Sequence, residues 1–587
     1  MITYSVALHD LNAHLFQVTL TVSQPAITQH VSLPVWIPGS YLVREFSKHL
    51  QNLNARQSSR KPLVVQQLDK CTWQIAATPG KPLVLRYEVY AFDNSVRTAW
   101  LDAQRGFFNG TSLCLQVAGC EALPHALQVG APKNITHWSL ATSLAAQKTD
   151  KQGFGTYLAA NYDELVDSPV ELGAFWSGSF MACGVPHRFV VAGALPSFDG
   201  PRLLRDTQKI CEAEINFWHA KNPLHKTPPF KNYTFLLNAV DDGYGGLEHR
   251  QCTALICNRK DLPRLGEPKV SEGYTTLRGL ISHEYFHTWN VKRLRPDAFE
   301  SYHYGHENYT ELLWFFEGFT SYYDDLLLRR AGLLDNTGYL KLLNKTINQV
   351  MQTPGTQVQS VAEASFDAWV KYYRQDENTA NATVSYYTKG ALVALCFDLT
   401  LRLEGHTTLD AVMRGLWAHC RAGPMREADF AAVLSELGQR SFAPELAAWV
   451  HGKQDLPLKT LLTAHGISVL EDPAQLAQRL GLRVTETQGL HIRAVLRGSA
   501  AEKAGFAAGD EWLGVVPVKA NAHDTGWRMQ RLDDLLLYAG AAKKMTALVS
   551  RDKRLLKLGL TMPPAATTWR LALQDTPKAE QWLSSLD

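Results

Sequence analysis

The sequence predicts an α+β protein of several domains. Three observations carry that reading. A chain of 587 residues is too long for a single hydrophobic core. Its first stretch alternates apolar and polar residues with a period of two, as half-buried strands do. Its middle instead carries helical spacings, and short strand-like runs return toward the end. The expected division is an antiparallel β domain over 1–165, a domain over 166–457 that is mixed α/β and then mainly helical, a β domain over 458–570, and a tail over 571–587.

In the first domain Phe16, Val18, Leu20 and Val22 alternate with Gln17, Thr19 and Thr21, and Leu83, Leu85, Tyr87 and Val89 repeat the pattern. Pro34, Pro38 and Gly39 break any long helix between them. A mostly antiparallel sandwich or saddle-shaped sheet follows, with a role as scaffold or as a wall of the substrate cleft. From 166 to 270 the character is mixed. Leu203 to Ala220 predicts a helix and Tyr233 to Asn238 a strand, followed by a glycine-rich turn over 241–246.

Composition narrows the classes. Apolar residues make up 45% and charged residues 20%, as in ordinary globular proteins. A net charge of +3 implies neither nucleic acid nor an anionic membrane as partner. No apolar run has the length of a membrane span, and the N-terminus lacks a basic start before an apolar segment, so no signal peptide is expected. The nine cysteines form no C-x-x-C pair, which argues against a zinc knuckle or redox motif and favours a reducing cytoplasm.

The chemistry concentrates in His-Glu-Tyr-Phe-His, 283–287. On a helix His283 and His287 lie four residues apart and project from one face. That spacing suits a tetrahedral zinc ion. Leu277, Leu280 and Ile281 give the segment an apolar side, which buries the polar cluster, and buried polar groups without a partner are costly. Glu284 is placed to take a proton from the attacking water. Two histidines leave the site incomplete, and Glu317, in a stretch from Tyr309 to Arg330 that reads as a second helix ended by Gly332, is the candidate third ligand. One Zn2+ per chain is expected.

His-Glu-Tyr-Phe-His-Thr-Trp-Asn-Val-Lys-Arg-Leu-Arg-Pro, with Leu-Trp-Phe-Phe-Glu-Gly-Phe-Thr-Ser-Tyr-Tyr after it, closely resembles the glycyl aminopeptidase family of zinc metallopeptidases, which belongs to the gluzincin group with a thermolysin-like catalytic domain. Leu33 to Phe46 resembles the family too, so the likeness covers nearly the whole chain. It implies removal of an N-terminal Gly or Ala from peptides with a free N-terminus. Gly245-Gly246-Leu247-Glu248-His249 is similar to the Gly-x-Met-Glu-Asn motif of the wider group. There the glycines let substrate backbone approach and the Glu holds its α-ammonium. Leu247 and His249 depart from that pattern. Read without the resemblance, Glu248 is equally an exposed residue of a hairpin turn. Tyr387, two residues before Lys389-Gly390, takes the place of the group's oxyanion donor. Tyr386 is the adjacent alternative, and a plain helix-start or core tyrosine the other.

The stretch from Gly481 to Asp510 resembles the PDZ domains attached to bacterial proteases. Leu480-Gly481-Leu482 would cradle a peptide C-terminus, and Arg528 to Tyr538 would be the helix lining the groove. Two other functions remain open: an endopeptidase with the same zinc machinery, and a PDZ peptide-binding scaffold with a structural zinc. Glu284 argues against the latter, because a structural site needs no base.

Overall fold

The computed structural model describes all residues except 59–60, 133, 220–227, 518–524, 575 and 585–587. The alternation read in the sequence becomes register. Val18 faces Tyr87 across an antiparallel pair, and Phe16, Val18, Leu20 and Val22 turn together into one buried face. They belong to a seven-stranded sheet in the order 145–149, 155–159, 125–129, 2–10, 15–22, 83–90, 50–56. The sheet is antiparallel apart from one parallel pairing, Ile2–Asp10 with His125–Val129. Two four-stranded sheets complete this unit, which has its own core.

A five-stranded mixed sheet follows, in the order 176–182, 185–192, 233–240, 252–258, 245–248. Its edge strand β1 (Gly245–Glu248) pairs antiparallel with β2 (Cys252–Asn258) and has no partner on its other side among the described strands. The helical part packs on this sheet: α1 (Glu272–Phe286), α2 (Gly318–Arg330) and α3 (Thr388–Glu404). The hydroxyl of Ser271 accepts from the Tyr274 amide and starts α1. Gly332, in the left-handed region, follows the end of α2.

The single helix expected over 309–330 is divided. A short turn, Leu313–Phe316, precedes α2, with Glu317 at the junction. The Thr310 hydroxyl accepts from the Leu312 amide, a local bond that competes with helical pairing at 309–312.

The C-terminal sheet runs 482–485, 491–495, 511–517, 544–551, 554–561 and has a third core. Its helix is Asp534–Ala539, shorter than the expected 528–538. Arg528 and Trp527 pair instead with Gly514 and Val515, and Asp534 accepts from the amides of Gln530 and Arg531 in the intervening turn. The described residues of the expected tail are packed. Thr567–Leu573 pairs with Ile467–Pro473, and helix Pro577–Ser584 buries Trp582 and Leu583 in the helical core. There the Trp582 indole donates to the Tyr322 hydroxyl at 2.9 Å. Among the described residues no helix is long and apolar enough to cross a membrane.

One N-terminal segment leaves its own unit. Leu33 lies in the first core, whereas Val35, Trp36 and Tyr41 lie in the helical one. The Val35 amide donates to the Tyr304 carbonyl and the Trp36 indole to that of His303, both at 2.8 Å. The Tyr41 ring packs between Phe299, Trp369 and Tyr373. The N-terminal unit therefore supplies a strap across the helical half of the chain.

Candidate active site

α1 ends as the HExxH sequence does. Its last residue is Phe286, and His287 stands at the C-cap with helical dihedrals, so His283 and His287 remain a turn apart on one face. Their Nε2 atoms lie 3.0 Å from each other. Glu317 Oε2 lies 3.1 Å from His287 Nε2 and 3.6 Å from His283 Nε2. The three ligand atoms fall within 4.8 Å of one another and form a group able to hold a metal ion.

The opposite ring nitrogens are already engaged. His283 Nδ1 donates to Asp324 at 3.0 Å, and His287 Nδ1 to the Asn290 carbonyl at 2.8 Å. With both protons fixed there, each Nε2 presents a lone pair to the other and to a carboxylate. Three acceptors converging in a buried space call for a cation between them. Burial disfavours charge on Glu317, and positive charge held at the His283–His287 end outweighs it and keeps the carboxyl below its ordinary range.

The Asn290 carbonyl is aimed by its surroundings. Val291, β-branched, sits at φ 110°, a strained conformation secured by its amide bond to the Leu294 carbonyl. The Asn290 side chain donates to the Phe316 carbonyl and to the Thr320 hydroxyl, which ties the loop after α1 to α2. Sequence reasoning missed Asp324 and Asn290. Asp324 left one usable signal: it follows Glu317 by two helical turns, on the same face of α2.

Glu284 is buried beside the group, with Oε2 free of any hydrogen bond. Burial, opposed mainly by His283, lifts its carboxyl to about 7. It lies against β1: a Cβ added to Gly246 would overlap the Glu284 carboxylate. Two residues on, Glu248 is only 4% exposed, unlike the exposed turn residue of the alternative reading, and its Oε1 has no hydrogen-bond partner. The strap covers it. A Cβ on Gly39, at φ 92°, would stand 2.5 Å from both Glu248 oxygens. Leu247 faces a small apolar cluster with Ile37, Val96 and Phe107. His249 points its Nδ1 to Asp167 at 3.0 Å, and the Lys292 ammonium donates to the same carboxylate oxygen at 2.7 Å.

α3 meets α2 through two glycines. A Cβ on Gly318 would lie 2.5 Å from the Gly390 Cα, so the helices approach closely there and bring the start of α3 to Glu317. Tyr387 precedes α3 without making a capping bond. Its ring stacks on His283 with centroids 6.2 Å apart, it is partly exposed, and its hydroxyl lies 3.4 Å from that of Tyr373. Tyr386 is fully buried, and its hydroxyl has no partner. Burial and then the Glu317 charge raise Tyr387 well above its ordinary pKa, so its phenol stays protonated.

Thus the structure brings His283, Glu284, His287, Glu317, Glu248, Gly246 and Tyr387 around one space, with Gly245 next along β1. It adds the strap from the N-terminal unit, to which the sequence assigned a scaffold or a wall of the substrate cleft and no chemistry.

Known proteins resemble the chain in segments and, in one case, over its whole length. The Peptidase M61 N-terminal domain description matches residues 3–174, and that of the M61 glycyl aminopeptidase matches residues 276–393. A crystal structure of an aminopeptidase N family protein from Idiomarina loihiensis is 37% identical, with 100% of each chain covered and a TM-score of 0.93. A mutant M1 zinc metallopeptidase from Deinococcus radiodurans, 15% identical over 78% of this chain and 95% of its own, gives a TM-score of 0.46. No curated protein matches. On its two family segments and its full-length likeness to the Idiomarina protein, the chain belongs to the M61 glycyl aminopeptidase family and is a metallopeptidase.

Proposed function

We propose that this metallopeptidase is a zinc aminopeptidase that removes an N-terminal Gly or Ala from peptides. One observation carries the reading: the Glu248 carboxylate, buried at the end of an edge strand with Oε1 unpartnered, lies two residues from the glycine against which Glu284 packs. A buried carboxylate without a partner needs a cation or a donor. A peptide's α-ammonium supplies both, and its capture there fixes the cut after one residue. The Gly39 backbone closing over Glu248 favours a small first side chain, in keeping with the family's name.

His283, His287 and Glu317 would hold the zinc, which when bound supplies Lewis acidity toward the scissile carbonyl and lowers the pKa of water. Asp324 and the Asn290 carbonyl orient the two imidazoles. Glu284 takes a proton from the attacking water and returns it to the departing amine. Tyr387 donates to the oxygen on which negative charge develops. Gly245 and Gly246, which carry no side chain on the edge strand β1, let the substrate main chain approach along it. We further read residues 458–570 as PDZ-like, with edge strand Leu482–Thr485 and helix Asp534–Ala539 sharing one core and a groove for a peptide C-terminus.

The test is kcat/KM for a glycyl chromogenic amide and its N-acetyl analogue. Wild type should discriminate strongly against the acetylated compound. Glu248→Gln should lose roughly ten- to a hundredfold on the free amine, the usual worth of a charge-assisted hydrogen bond, and should narrow the gap between the two. Equal cleavage of both by wild type replaces this reading with an endopeptidase.

A further inference from the structure

Two arginines of the N-terminal unit stand at the other end of the same substrate path. Arg97 reaches across to β1, where its Nη2 donates to the Gly246 carbonyl at 2.9 Å. Its Nη1 lies 3.5 Å from the position a Cβ on Gly245 would take, so the guanidinium flanks both glycines. Its Nε is buried and has no hydrogen-bond partner. Arg44 sits close enough to feel it: burial first, then the Arg97 charge, push the Arg44 guanidinium down to about 10. Among the described residues neither arginine forms an ion pair. Asp93 acts on Arg44 through space, and the one side-chain hydrogen bond of Arg44 among the described residues goes to the Leu42 carbonyl two residues back.

The Arg97 guanidinium has a buried, unpartnered N–H and no ion-pair partner among the described residues, and Arg44 adds a second positive charge that Asp93 meets only through space. If Arg97 served only to clamp the N-terminal unit onto β1, its bond to Gly246 would suffice. The second cation would then be a pure cost. The path supplies the missing charge. Gly246 is two residues from Glu248, a strand distance of about 7 Å. An extended dipeptide laid along β1 with its ammonium on Glu248 spans about the same length and ends at Arg97. A tripeptide ends one residue further, still on the side of the arginine pair.

We propose that Arg97, with Arg44 beside it, binds the C-terminal carboxylate of di- and tripeptides, so that the enzyme's preferred substrates are short peptides with both termini free. This rests on the aminopeptidase reading and narrows its substrate class. Arg97 is a specificity residue, not a catalytic one. Tyr373, which feels the Arg97 charge and lies 3.4 Å from the Tyr387 hydroxyl, links the carboxylate end to the reacting end.

The experiment compares kcat/KM for glycyl-leucine and glycyl-leucine amide in wild type, Arg97→Gln, Arg97→Lys and Arg44→Gln. The ratio of the two does not depend on the fraction of active protein, so partial misfolding of a variant leaves it readable. Wild type should favour the free acid by roughly ten- to a hundredfold, chiefly through KM. Arg97→Gln, which removes the cation, should lower that ratio at least tenfold. Arg44→Gln should lower it less, and Arg97→Lys should restore part of it. A wild-type ratio near one, or a preference that survives Arg97→Gln, overturns the proposal. A wild type that cleaves the glycyl chromogenic amide but shows a ratio near one overturns this inference alone. A wild type that cleaves no glycyl substrate at all overturns the aminopeptidase reading and this inference with it.

Discussion

Tyr386 and Tyr387 are consecutive, yet their surroundings differ enough to separate their roles. Tyr387 is partly exposed and stacks on His283, whereas Tyr386 is sealed in the core against Tyr372. Tyr387→Phe should lower kcat by about 10² to 10³ with little change in KM, the scale for one oxyanion donor. Tyr386→Phe should change kcat far less, since that hydroxyl faces no open space. Steady-state kinetics on the two variants decides it, and the reverse pattern would exchange their parts. The candidate metal ligands His283 and His287 could be picked out at this scale because a helical spacing fixes which face they share. The groups behind them could not. The Asn290 carbonyl faces His287 only because Val291 is held in a strained turn, and a strained backbone leaves no signature in residue type.

At the scale of elements, the strap over 35–41 was the least legible part of the chain. Its prolines and Gly39 signal a break in regular structure, and that signal was read correctly as the absence of a helix. Nothing in a local pattern says that the break crosses into another core. The strands of the N-terminal unit were legible because burial on one face repeats every two residues. The helix at 309–330 was misjudged because the Thr310 hydroxyl competes with the backbone there. The strap also carries a prediction. Gly39→Ala combines an unfavourable φ of 92° with a Cβ 2.5 Å from the Glu248 oxygens. It should lower kcat/KM for glycyl substrates by tenfold or more while shifting the melting temperature by only a few degrees. Kinetics beside a thermal melt reads both, and unchanged kinetics would show that the strap does not govern the Glu248 position.

At the scale of the molecule, the site lies where two hydrophobic cores meet, and neither core contains it whole. The N-terminal unit gives Gly39, Tyr41 and Arg97, while the helical half gives Glu284, Glu317 and Tyr387. Contacts between units are fewer than those within them, so they are the first to open on heating. Activity should therefore be lost several degrees below the loss of far-UV circular dichroism. Coincident loss of both signals would show that the two cores unfold as one. The same division has a consequence for how such enzymes diversify. In the reading proposed above, the groups that break the bond lie on α1 and α2, whereas part of what chooses the substrate, Gly39 and Arg97, comes from the N-terminal unit and meets Glu248 and Gly246 of β1. Selection can then remodel the diet of the enzyme by altering loops near Gly39 and Arg97, while the inherited chemistry of α1 and α2 passes on untouched.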